Sequence, residues 1–188
     1  MYIISIETSL MFDSIFADGS LREYIDDNLK DPWKGTPFEG YVFISPKQKG
    51  EFGERFVSKF MTLAGYNVER AKTSTAGHDR VIDGIRTEIK FSLATRKKKG
   101  GVNKDKFLLN HMSECKDWER LIFFGINYKE EDCRLIWFTK EDFVKHINSS
   151  DRVIRHQQAG EGGDNDDFIC ANVAALLECD FVKDIAEW

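Results

Sequence analysis

A chain of 188 residues with 41% apolar side chains can bury one sizeable hydrophobic core, and we expect a single domain. The sequence contains no apolar run near the roughly 20 residues that a membrane-spanning helix needs, and its N-terminus lacks the basic region of a signal peptide. We therefore expect a cytoplasmic protein without a membrane partner. The four cysteines show no C-x-x-C spacing, which argues against a zinc knuckle or a redox pair.

The net charge of −5 conceals a segregation of charge along the chain. Residues 1–46 hold 3 basic and 8 acidic residues, and residues 160–188 hold 1 and 8. The middle, residues 47–159, holds 23 basic and 16 acidic residues. A basic middle is typical of a nucleic-acid-binding region, although segregated charge also occurs on solvated faces. The sequence has no G-x-x-x-x-G-K-S/T loop, which argues against a nucleotide cofactor.

Residues 1–46 carry little chemical information. A helix is predicted from Ser20 to about Leu29, and the apolar residues 41–44 predict a short strand. We expect a structural or dimer-forming role for this region, and substrate recognition is the alternative.

Residues 47–64 form the clearest amphipathic pattern in the chain. Gly65 follows as a helix stop, and Glu51 and Glu54 lie near the helix start, where they favour the positive end of the helix dipole. A strand ending near Ala71 follows. The apolar residues at helical spacing are Phe52, Phe56, Val57, Phe60 and Leu63.

Residues 78–91, H-D-R-V-I-D-G-I-R-T-E-I-K-F, predict a β-hairpin. Asp83 and Gly84 stand between two isoleucines, which is typical of a two-residue type I′ turn with positive φ at both positions. Such a turn pairs Ile82 with Ile85 and fixes the register of both strands.

This register sorts charge and apolar side chains onto opposite faces of the hairpin. Asp79 lies across from Glu88, and Lys90 shares their face. Two opposed carboxylates have Cβ atoms about 5 Å apart, which is close enough to share one divalent ion. Carboxylates with a nearby ammonium group suit metal-dependent phosphodiester hydrolysis. The opposite face carries Ile82, Ile85, Ile89 and Phe91.

Asp79 and the tripeptide Glu88-Ile89-Lys90 resemble the motif of the PD-(D/E)xK nuclease superfamily, although His78 stands where the family has a proline. The resemblance implies an α/β fold with a restriction endonuclease-like core, a mixed central sheet flanked by helices. This core covers residues 47–146, with peripheral additions at 1–46 and 147–188. The resemblance also implies a Mg²⁺ site, which Mn²⁺ can also occupy, held by Asp79, Glu88 and the backbone carbonyl of Ile89, with Lys90 as a catalytic residue.

The same resemblance implies one further acidic residue at the metal site. The segment K-G-E-F-G-E is similar to the first-helix segment of the superfamily, in which an acidic residue joins the metal site. We assign this role to Glu54, with Glu51 as the alternative.

Residues near the acid cluster are candidates for DNA contact. Arg96, Lys97, Lys98 and Lys99 precede two glycines and predict a mobile basic loop that binds phosphates, although a solvated charge run is the alternative. His78 could contact the scissile phosphate or a water, and structural hydrogen bonding is the more common role of such a histidine.

Beyond this loop the pattern predicts a helix at 104–115, strands at 121–126 and 134–138, and a helix from Thr139 to about His146. A strand at 153–156 and a final helix at 168–179 follow.

The sequence thus predicts a metal-dependent endodeoxyribonuclease that acts on double-stranded DNA, most simply a homodimeric type II restriction endonuclease. The alternatives are a repair or recombination nuclease of the same fold and a catalytically silent DNA-binding or interaction module. The intact set of Asp79, Glu88 and Lys90 argues against the silent module.

Overall fold

The computed structural model describes residues 12–73, 75–97, 101–129, 132–157 and 167–188. The chain divides into two compact units, Met1–Phe43 and Ile44–Trp188. This division falls close to the expected start of the core at residue 47, and the single-domain organisation stays a prediction. None of the helices in the described ranges is long and apolar enough to cross a membrane.

The first unit contains helix α1 (Ser20–Asn28) and a 3₁₀-helix (Tyr41–Phe43). α1 confirms the predicted helix, whereas the strand predicted for residues 41–44 is wrong. The carboxylate of Asp31 accepts hydrogen bonds from the backbone N–H groups of Trp33 (2.9 Å) and Gly40 (2.6 Å). Gly40 has a φ of 86°, so the chain turns directly into the 3₁₀-helix instead of extending.

Within the described residues, the second unit contains two sheets and three α-helices. Its strands are β1 (Val68–Arg70), β2 (Arg80–Ile82), β3 (Ile85–Leu93), β4 (Leu109–Met112), β5 (Arg120–Ile126), β6 (Arg134–Thr139), β7 (Ile154–His156), β8 (Phe168–Cys170) and β9 (Lys183–Asp184). The helices are α2 (Pro46–Leu63), α3 (Lys140–Ile147) and α4 (Val173–Leu177).

Six strands form the central sheet, in the order β1-β2-β3-β5-β6-β9, and the second sheet has the order β4-β8-β7. β3 and β5 run parallel while their neighbours run antiparallel, so the central sheet is mixed. The predicted α/β class with a mixed central sheet flanked by helices is confirmed.

α2 covers one face of the central sheet. Ser45 and Gln48 form a capping box at its start, in which Gln48 N–H donates to Ser45 Oγ and Ser45 N–H donates to Gln48 Oε1. At Gly53 the helix comes so near β3 that an added Cβ would lie 2.4 Å from the Cβ of Phe91. The rings packed across this interface are Phe52, Phe56 and Phe60 on the helix and Phe91 and Phe124 on the sheet.

The second sheet and α3 cover the other face. Phe123 contacts Phe107, and Phe138 contacts Phe143 of α3. Phe143 in turn contacts Phe168 of β8. Because side chains alternate along a strand, this is the face to which Glu88 and Lys90 project.

The helix predicted for residues 104–115 is wrong, since this segment contains strand β4. β4 pairs with β8, and its register shifts between Leu109 and Met112. His111 there has a positive φ of 54°, and such a shift marks a β-bulge. The bulge lets Leu109 and Met112 both point into the core three residues apart, which imitates helical spacing. The helix predicted for 168–179 is also only partly right, because the segment begins as β8 before α4.

Candidate active site

The hairpin β2–β3 has the predicted turn and register. Asp83 and Gly84 have φ values of 48° and 83°, as a type I′ turn requires. The two strands pair in the register that this turn imposes. Asp79, one residue before β2, donates its backbone N–H to the carbonyl of Thr87 (3.0 Å). The ladder itself ends at the pair of Arg80 and Thr87, so Asp79 lies one residue beyond it, close enough to Glu88 for the two charges to interact.

Asp79 is half-buried where negative charge is incompletely compensated. Burial, followed by the negative charge of Glu88, raises the pKa of Asp79 to about 6, with a smaller contribution from Glu54. The N–H of Ile89 donates to Asp79 Oδ2 (2.7 Å). This hydrogen bond and the charge of Lys90 oppose the rise without cancelling it. Such a carboxylate favours an added cation.

Glu88 is compensated by two ammonium groups. Its side chain is 5% exposed, and its Oε1 lies 2.8 Å from Lys90 Nζ and 3.6 Å from Lys116 Nζ. Lys90 also donates to the backbone carbonyl of His111 in the β4 bulge (2.8 Å). The bulge therefore holds the Lys90 ammonium beside the acid. Sequence reasoning missed Lys116, because no local pattern links the segment before β5 to β3.

Glu54 lies near Asp79 but is bound by Arg80. Arg80 Nη1 donates to Glu54 Oε2 (2.9 Å) and to the backbone carbonyl of Asp79 (2.6 Å), and its Nε donates to Ser58 Oγ (2.9 Å). Arg80 is only 8% exposed, so it ties α2 firmly to the start of β2. Sequence reasoning missed this role. The available signal was an arginine on the apolar face of the hairpin, which needs a partner when buried.

An open cleft of about 320 Å³ lies beside Asp79, between α2 and the segment that leads into β2. His78 lines it, and its Nδ1 lies 3.0 Å from the carbonyl oxygens of both Ala76 and Asp117. Because both partners are acceptors, Nδ1 carries a proton, and the neutral ring then has Nε2 as its acceptor.

The donors fit an oxygen-ligated ion that takes few protein ligands. No group of three or more His, Cys, Asp and Glu side chains within the described ranges is placed to hold a metal ion. Mg²⁺, however, is usually bound through one or two carboxylates and keeps several waters, so Asp79 and Glu88, whose charges interact, are the candidate pair. Glu54 and Glu51 are each paired with an arginine. The metal-binding roles of Glu54 and of the Ile89 carbonyl stay predictions.

The predicted basic loop is only partly described. Arg96 and Lys97 are exposed, and Arg96 pairs with Val102 in an isolated β-bridge. Lys98 and Lys99 lie outside the described residues. The loop follows the end of β3 that is remote from the hairpin turn. DNA contact by these four residues stays a prediction.

Comparisons with known proteins provide no family for this chain. No model of a known family matches it, and no curated protein matches it. One solved structure to which it is similar is that of a bacterial homing endonuclease. The match covers 63% of this chain and 86% of that chain, at 13% sequence identity and a TM-score of 0.39. A similarity of this strength carries no inference about function, so the residues of the site carry the proposal below.

Proposed function

We propose that the protein is a Mg²⁺-dependent endonuclease that hydrolyses phosphodiester bonds of double-stranded DNA. The observation that supports this most is the pair of carboxylates on the hairpin whose charges interact, Asp79 and Glu88, with Lys90 bound to the second. Asp79 borders an open cleft, so a substrate phosphate can reach it. A solely structural ion pair would need only Glu88 and Lys90, and it would not explain a second, half-buried carboxylate whose charge interacts with that of Glu88.

In the proposed reaction Asp79 and Glu88, together with the Ile89 carbonyl, would hold the ion. The chemistry that an ion held there would supply is polarisation of the scissile phosphate and a lower pKa for a coordinated water. Lys90, fixed by Glu88 and by the backbone, offsets the negative charge that develops on the phosphate. His78 offers Nε2 as an acceptor at the cleft wall, where it can orient a water.

The finer proposal is a type II restriction endonuclease that acts as a homodimer, with one active site for each strand of a symmetric target. A repair or recombination nuclease is the alternative. Digestion of mixed-sequence duplex DNA with Mg²⁺ separates the two, because discrete bands indicate sequence-specific cutting and a smear or structure-dependent cutting indicates the alternative. The controls are EDTA and the Asp79→Asn variant. If the parent chain cuts no DNA under either metal, Mg²⁺ or Mn²⁺, the proposal is wrong and a silent module remains.

Oligomeric state is tested separately by light scattering. A dimer, free or on DNA, is expected, and a monomer under both conditions contradicts the homodimer.

The basic loop supplies a second test of DNA binding. Replacing Arg96, Lys97, Lys98 and Lys99 by Ala should weaken binding and flatten its salt dependence, by about 0.9 in log–log slope for each phosphate that the loop no longer neutralises. An unchanged slope would identify the loop as a solvated charge run.

A further inference from the structure

A continuous groove runs along α2 beside β1, the end strand of the central sheet. The cleft next to Asp79 adjoins a second open cleft of about 480 Å³, and both are bordered by Arg55, Arg70 and Arg80. The second cleft extends along the helix as far as Leu63. Because three arginines border both, the two clefts are parts of one groove.

The charge of this groove changes along its length. In the part next to the hairpin, the three arginines are balanced by Glu51, Glu54 and Asp79. In the second part Lys59 joins the same arginines, and Glu69 is the single acid among the described lining residues. An excess of positive charge therefore leads up to the acid cluster, an arrangement that attracts an anionic ligand.

Three of these cations are available to a ligand. Arg80 is buried and bound to Glu54, whereas Arg55, Lys59 and Arg70 are exposed. Arg55 pairs with an acid one turn earlier on the helix, and such exposed pairs contribute little and exchange partners readily.

The spacing of the cations suits a nucleic-acid backbone. Arg55 and Lys59 are four residues apart on one face of α2, which is a rise of about 6 Å. One DNA strand carries a phosphate about every 3.4 Å of helix axis, so the two side chains can bind phosphates roughly two nucleotides apart. Arg70 lies across the groove on β1.

We propose that Arg55, Lys59 and Arg70 bind the phosphates of one DNA strand and guide that strand to Asp79 and Glu88. This inference rests on the proposed nuclease function, because a strand in the groove delivers one phosphate to the acid cluster. An acidic polypeptide would also be attracted by the cations, but it brings no phosphate to a metal site.

The experiment measures the salt dependence of duplex DNA binding in Ca²⁺, by fluorescence anisotropy of the full chain. Lys59→Ala and Arg70→Ala should each lower the log–log slope by about 0.9, and Lys59→Arg should keep it. In Mg²⁺, Lys59→Ala should raise KM more than it lowers kcat. The matched control is Lys145→Ala, which like Arg55→Ala removes the cation of an exposed i,i+4 ion pair on a helix. Of these two ion-pair variants, Arg55→Ala should lower the log–log slope and Lys145→Ala should leave it unchanged.

Three other outcomes would overturn the groove inference, and one of them would also overturn the proposed function. If the parent chain cuts DNA and the slopes of all groove variants equal that of the parent, the groove inference is wrong and the nuclease function stands. If polyglutamate binds as tightly as DNA and loses affinity in the same variants, the groove binds acidic polypeptides instead. If the parent neither binds nor cuts DNA, the proposed function fails and the groove inference fails with it.

Discussion

Asp79 and Glu88 belong to the two arms of one hairpin and their charges interact, yet their surroundings differ. Glu88 has two ammonium groups beside it and is nearly inaccessible to solvent. Asp79 accepts a backbone hydrogen bond, borders an open cleft and has its pKa raised to about 6. The fold thus compensates one carboxylate internally and leaves the other to be compensated from the cleft. Under the proposed function, a metal ion and a phosphate would enter from the Asp79 side, because of the two carboxylates only that one borders the cleft.

The largest expected effects follow from removing either carboxylate or the lysine between them. Asp79→Asn, Glu88→Gln and Lys90→Ala should each lower the cleavage rate by about 10²–10³-fold or more, the magnitude typical of groups that stabilise developing charge. Circular dichroism should report a retained fold, and Lys90→Ala should still bind DNA in Ca²⁺. Cleavage at the parental rate by Asp79→Asn would contradict the proposed site.

The two carboxylates should have opposite effects on stability without metal. A folded-state pKa near 6 against an ordinary value of 3.8 means that the folded protein binds the extra proton. Stability is therefore lost as pH rises from about 4 to about 6, and the loss persists above that window. Asp79→Asn should stabilise the protein at pH 7–8 in EDTA by about 1–3 kcal/mol, since one pKa unit corresponds to about 1.4 kcal/mol and partial exposure reduces the effect. The gain should vanish below about pH 4, where the carboxyl group is protonated in both states.

Glu88→Gln is the matched variant, and urea or thermal melts measure the stability of both variants. It leaves the half-buried Lys90 ammonium without its carboxylate, so it should destabilise the protein by up to about 3 kcal/mol. Equal stability changes in the two variants would show that the carboxylates are compensated alike.

Lys116 provides a smaller test of the difference between Asp79 and Glu88. Its side chain is 47% exposed and lies 3.6 Å from Glu88, so it can leave when a cation binds. Lys116→Met removes a competing positive charge and should tighten Mn²⁺ binding by about 3- to 10-fold, a change of roughly 1 kcal/mol. Isothermal titration calorimetry measures this affinity directly. The control is Lys104→Met, because Lys104 pairs with Asp132 away from the site. Weaker Mn²⁺ binding by Lys116→Met would contradict the expectation that the Lys116 ammonium competes with the metal ion. General damage to the fold would also weaken Mn²⁺ binding, so tighter binding cannot result from such damage.

The parts of the site that sequence reasoning predicted are those that depend on local chemistry. The Asp-Gly turn determines the register of the hairpin by itself, so the pairing of β2 with β3, as far as Arg80 and Thr87, could be predicted without any knowledge of the fold. Arg80 and Lys116 could not be placed, because their partners lie on elements distant in sequence.

The wrong prediction of a helix at residues 104–115 has a related cause. Periodicity assumes regular geometry, and the bulge at His111 breaks the alternation of a strand. That same bulge presents the carbonyl that binds Lys90. The irregularity that misled the prediction of secondary structure is therefore part of the site.

The smallest expected effect is that of Asp83→Asn, and it tests which aspartate belongs to the site. Asp83 is nearer to Glu88 in sequence than Asp79 is, but it lies at the turn, about 15 Å from Glu88 at 3.3 Å per residue. Its Oδ1 accepts the N–H of Asn67 (2.8 Å), and its own N–H donates to the Asn67 carbonyl (2.9 Å). Asparagine keeps an acceptor at the same position and tolerates the φ of 48°. Asp83→Asn should therefore retain near-parental cleavage and change stability by less than about 0.5 kcal/mol. Asp83→Ala, which removes the acceptor and disfavours the turn, should be destabilising by about 1 kcal/mol and still cut DNA. If Asp83→Asn abolished cleavage while Asp79→Asn preserved it, the metal-binding aspartate would be at the turn, and the assignment of the active site to the opposed pair would be wrong.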